Sequence, residues 1–190
     1  MTLQDRVDAI LAMQRLSQEE ATLLGDPLMS PMAPHATAPG HGGINSTYSG
    51  FLTTGQRAFH KPFSGVHISA AHHYGQSPDD PCINEVAAWR LARALGPPWD
   101  SLVPPCVLRD LPPGGIGSLA LGIQGLPHVP DPFVHGAAQV DSAAFWDCLI
   151  AQQDRHGGNY RWDSTEQELH LIDHGFCFAL PGDLLNASVC

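Results

Sequence analysis

Between Ile83 and Leu95 the chain reads INEVAAWRLARAL, with Val86, Trp89 and the later leucines recurring on helical faces and Gly96-Pro97-Pro98 as a stop. That pattern predicts a helix. Elsewhere the spacing shortens to that of strands. Residues 47–52 and 57–61, separated by Thr53-Thr54-Gly55-Gln56, predict a hairpin. Residues 103–108 and 116–123 flank Leu111-Pro112-Pro113-Gly114-Gly115 and predict a second strand pair, and residues 159–162 and 169–172 a third, around the polar turn 163–166. Asp141 is a suitable N-cap for a helix through Ala151, buried by Phe145, Trp146, Leu149 and Ile150. Residues 62–81 and 125–140, rich in Pro and Gly, read as loops.

At the N-terminus, Leu3, Val7, Ile10 and Leu11, then Leu23 and Leu24, predict helices over residues 2–24, with Ser17-Gln18-Glu19-Glu20 as a capping box between them. Pro27, Pro31, Pro34 and Pro39 make the next stretch a linker. A chain of 190 residues supports one sizeable core. The expected organisation is an α+β unit: a helical extension and linker over 1–40, one lobe over 41–125 and a second, shortened lobe over 126–190.

The balance of 9 basic against 19 acidic residues gives a net charge of -10, which disfavours nucleic acid and anionic membrane surfaces as partners. No apolar run approaches the roughly 20 residues that span a bilayer, and the N-terminus lacks the order of a secretory signal, so a cytoplasmic protein is expected. The five cysteines are scattered singly, a pattern of small buried residues rather than of zinc or disulfides. The adjacent His72 and His73 diverge on any regular element and lack a partner four residues on.

Lys61 is the only lysine. It ends a predicted strand, and Glu85 follows early on the predicted helix. Downstream, Asp154-Arg155-His156-Gly157-Gly158-Asn159 places an acid and an amide five residues apart, with two glycines to let the backbone turn between them. Asp173 then stands at a strand end before His174-Gly175. Phosphoryl transfer needs a cation on the nucleotide phosphates, hard oxygen ligands on Mg2+ and a base aimed at the attacking hydroxyl. These residues supply one candidate for each role, in the order that kinase folds use. Gly42-Gly43-Ile44-Asn45-Ser46-Thr47 adds backbone amides and the Ser46 and Thr47 hydroxyls as further phosphate contacts.

The Asp154-to-Asn159 run and Ile172-Asp173-His174-Gly175 resemble the catalytic and metal-binding loops of the phosphatidylinositol 3-kinase and 4-kinase superfamily, in which the second motif is usually Asp-Phe-Gly. Lys61-Pro62, Asn84-Glu85-Val86-Ala87-Ala88-Trp89 and Val103-Pro104-Pro105 are also similar to a small actinobacterial kinase-like group, and the likeness extends over residues 42–180. The resemblance implies an atypical kinase fold that binds ATP and Mg2+ between its lobes. Lys61 and Glu85 match the phosphate-binding lysine and its partner, Asp154 the catalytic aspartate, Asn159 and Asp173 the magnesium ligands. His156 matches a histidine of the lipid-kinase loop, so Asp154 and His156 both stand as candidate bases. Only 15 residues follow Gly175. The substrate platform is then expected from the N-terminal helices, a partner or a second copy. The implied activity is transfer of the γ-phosphate to a hydroxyl of a protein or small molecule; the alternatives are a nucleotide-binding pseudokinase and a nucleotidyl transferase.

Overall fold

The structure, a computed structural model, describes residues 18–26, 28, 32–34, 45–123, 125–127, 131 and 135–178. The expected helix over residues 2–17 and the Gly42-Gly43-Ile44 segment lie outside them. Helix α1 is Gln18–Gly25, followed by the short strand β1, Ala33–Pro34. The predicted hairpin forms as β2, Tyr48–Phe51, and β3, Arg57–Pro62. A 3-10 turn at Phe63–Gly65 and helix α2, Ile68–His73, precede helix α3, Asp80–Leu95, and helix α4, Trp99–Leu102. Strands β4, Cys106–Leu111, and β5, Gly115–Leu121, complete an antiparallel five-stranded sheet of order β1-β2-β3-β5-β4. After β6, Leu126–Pro127, and helix α5, Ala137–Leu149, strands β7, Tyr160–Asp163, and β8, Glu168–Leu171, form a second sheet of order β6-β7-β8. The fold is mixed α+β.

Strand alternation decides which side chains reach the site. On β3, Ala58, His60 and Pro62 are buried on one face, so Phe59 and Lys61 project from the other. The first face packs on Leu23 of α1 together with Leu52, Val107, Leu111 and Leu119. A larger cluster joins Trp89 and Ala92 of α3 to Cys106, to Trp146 and Ile150, and to Leu169 and Leu171 of β8. Lys61 lies opposite Ser118 in the ladder, and Pro62 opposite Gly117. A Cβ on Gly117 would stand 2.2 Å from the Lys61 carbonyl oxygen, so glycine is what lets β5 approach the strand that carries the lysine.

Five expectations are corrected. Residues 62–81 are not loop, because Ile68–His73 forms α2, whose Ala70 and Ala71 are buried; a segment of under two turns is too short for its period to register. Helix α3 begins at Asp80, three residues early, since Pro81 sits in the first turn where its missing N–H costs nothing. Asp141 is not an N-cap but an exposed residue inside α5, which starts at Ala137 after Gly136 at φ 81. The 125–140 stretch also contributes β6. Strand β4 starts at Cys106 rather than Val103, because Pro104 and Pro105 carry no N–H for the ladder.

Among the described residues no helix is long and apolar enough to cross a membrane.

Candidate functional site

Lys61 and Asp173, 112 residues apart in sequence, meet through the lysine Nζ and Asp173 Oδ1 at 2.7 Å. The same Nζ donates to Glu85 Oε1 at 2.6 Å. Burial alone would lower the lysine pKa, but the carboxylates of Asp173 and Glu85 outweigh it and hold Lys61 charged, above the ordinary lysine value. Burial pushes the Glu85 carboxyl up against the opposing pull of Lys61. For Asp173 the balance reverses: desolvation raises it, yet Lys61 brings its pKa below the usual aspartate value. The side-chain exposures, 7% for Glu85 and 43% for Asp173, agree with that contrast.

Glu85 has a second task. Its Oε2 accepts the backbone N–H of His174 at 3.1 Å, while Asn84 Nδ2 donates to the carbonyls of Gly175 and Cys177, each at 3.0 Å. From the other side, Gln152 donates to the Asp173 carbonyl and the Gln153 N–H bonds to Phe176. The turn is thus held from α3 and from the loop after α5. Asp173 itself stands at φ 62, a left-handed conformation that Asp and Asn tolerate better than most residues and that recurs at functional sites.

The 154–159 loop hangs from a buried cation. Arg155, its side chain 1% exposed, grips Asp147 of α5 through Nε and Nη2 at 2.9–3.1 Å and sends Nη1 to the carbonyls of Asn159 and Ile172 at 3.1 and 2.6 Å. One guanidinium therefore fixes α5, the loop and the residue preceding Asp173 together. Asn159 is buried, with its Nδ2 donating to the Asp154 carbonyl at 2.9 Å. The Asp154 carboxylate accepts the Tyr74 hydroxyl at 3.1 Å. Burial, then Asp154, pushes the Tyr74 phenol up to about 12 and keeps it a proton donor at neutral pH. His156 is exposed, and its Nδ1 accepts from the Gly158 N–H at 3.0 Å, capping the 3-10 turn Gly157–Asn159.

The structure brings Lys61, Glu85 and Asp173 into contact, and Arg155 ties the Asp154–Asn159 loop to the residue before Asp173. Ser46 and Thr47 lead into β2, the strand paired with the β3 that carries Lys61. The Ser46 N–H bonds to Gly65 at the entry to β2, and among the described residues no hydrogen bond links either side chain to the Lys61 group. Arg155, Asp147 and Tyr74 were missed by motif spacing. Asp147 carried a usable signal: an acid beside Trp146 on the apolar side of α5 needs a buried cation.

No group of three or more His, Cys, Asp or Glu side chains able to hold a metal occurs among the described residues. A cation here would draw on the Asp173 carboxylate, the Asn159 amide oxygen, waters and a ligand's own oxygens, the set that Mg2+ accepts. Lys61 takes Asp173 Oδ1, which leaves Oδ2 for such an ion.

No family model matches the chain, and no curated protein does. Among solved structures, a similar one is the complex of Rv3197 with erythromycin from Mycobacterium tuberculosis, 14% identical, with a TM-score of 0.43 over 95% of this chain and 53% of that one. The chain thus spans about half the length of that protein.

Proposed function

We propose that the chain is an ATP- and Mg2+-dependent phosphotransferase of atypical kinase type, acting on a hydroxyl of a protein or small molecule. The observation that carries this reading is the lysine held between a helix carboxylate and an Asp at a left-handed turn, with a second acid and an amide braced beside them by Arg155. Lys61 binds phosphate oxygens, and Glu85 orients it. Asp173 and Asn159 hold Mg2+, which draws charge from the transferring phosphoryl group. Asp154 orients the acceptor hydroxyl and takes its proton. It is preferred to His156 as the base because its carboxylate already accepts a hydroxyl, whereas His156 Nδ1 is engaged in capping its own loop.

Charge makes the metal a requirement. The Lys61 ammonium is shared between the carboxylates of Glu85 and Asp173, so its charge is already offset and a nucleotide anion needs a further cation. ATP with Mg2+ is expected to raise the melting temperature, by the equivalent of about 2.7 kcal/mol at a hundred times the dissociation constant. ATP or Mg2+ alone should give little shift. A folded sample that does not respond to millimolar ATP with Mg2+ removes the proposal.

A further inference from the structure

The Tyr74 hydroxyl stands in the relation to Asp154 that a phosphate acceptor takes to a catalytic base. Three independent contacts hold it there. The Tyr74 N–H bonds to Ala70 and Ala71 at the C-terminal end of α2; its ring lies against Phe176, centroids 4.3 Å apart at 31°; and Gln76, two residues on, donates to the Cys177 carbonyl at 2.8 Å. The phenol is thereby fixed against the same 173–177 segment that carries Asp173. Nothing in the fold requires this: a phenylalanine would fill the stacking position as well, and only the hydroxyl reaches Asp154.

We propose that Tyr74 is a phosphate acceptor in cis, modified by the site it faces. The inference rests on the phosphotransferase reading above. The phenolic oxygen attacks the γ-phosphorus of ATP and forms a new O–P bond. The bond from that phosphorus to the bridging oxygen breaks, ADP leaves with the electron pair, and the phenolic proton passes to Asp154. The product is self-limiting, since a phosphotyrosine dianion beside the Asp154 carboxylate is repelled from it. Its departure leaves Asp154 open to another hydroxyl.

The experiment incubates the whole chain with γ-labelled ATP and Mg2+, follows protein-bound label, and locates it by mass spectrometry of tryptic peptides. One phosphate per chain is expected, on Tyr74, at a first-order rate independent of protein concentration. Tyr74→Phe should retain the thermal shift with ATP and Mg2+ and lose that label. Asp154→Asn, which leaves Tyr74 in place, should slow labelling by about 100-fold or more. ATP consumption with no phosphate on Tyr74, labelling of Tyr74→Phe at the wild-type level, or a rate that rises with protein concentration overturns the cis acceptor while leaving the phosphotransferase reading standing. Absence of any nucleotide response overturns both.

Discussion

Arg155→Met is expected to lower stability by about 3–5 kcal/mol, the cost of leaving a buried charge without its partner. For a chain of this length that corresponds to a fall in melting temperature of roughly 6–20 °C. Asp147, 5% exposed, would lose its cation, and two carbonyls would lose a charge-assisted donor. The effect should be non-additive. In Asp147→Leu with Arg155→Met neither charge remains, so the double variant should recover part of the loss. Urea denaturation of the wild type, Arg155→Met, Asp147→Leu and the double variant measures the coupling. A single-variant change under about 1 kcal/mol would mean that water reaches the pair and that the loop is braced by other contacts.

Asp173→Asn is expected to reach function without disturbing the fold. Asn accepts a left-handed φ as readily as Asp, so the turn at φ 62 survives. What disappears is the charge that pairs with Lys61 and that, on the proposed function, holds Mg2+. Since losing even an outer contact of a metal site costs 10–100-fold in affinity, losing a charged ligand should weaken Mg2+-dependent ATP binding by about 100-fold or more. Calorimetric titration with ATP, in Mg2+ and in EDTA, reads the difference. A variant that binds ATP as the wild type does in both buffers would place the metal elsewhere. A variant that fails to fold would make the Lys61–Asp173 pair a structural device.

Much of the fold was legible because periodicity and stop signals coincide. The hairpin carrying Lys61 follows from alternation around Thr53-Thr54-Gly55-Gln56, and α3 from its apolar faces and Gly96-Pro97-Pro98. Helix α2 escaped because six residues give a period no room to register, although its two alanines favour helix. The pairing of Lys61 with Glu85 followed from strand-then-helix order, since a residue at the end of a strand and one in the early turns of the next helix can reach each other. The brace by Arg155 did not follow, because its carbonyl partners are backbone atoms that sequence patterns do not name. Tyr74 was hidden for a related reason: it reaches Asp154 across 80 residues from a helix that the pattern did not predict. Ser46 and Thr47 were read from adjacency to Gly42-Gly43, which lie outside the described residues.

On the proposed function, this site moves the γ-phosphate of ATP with Asp154 as the base. The measurement that tests it incubates wild type and Asp154→Asn, in Mg2+, with ATP labelled in turn at the γ and the α position, and follows label on protein and as free phosphate. Transfer or release of γ label is expected from the wild type, with a fall of about 100-fold or more in the variant. The variant should still give the thermal shift with ATP and Mg2+, because that carboxylate need not touch the nucleotide. Transfer of α label, equal turnover by the two proteins, or bound ATP that the wild type never consumes would contradict it.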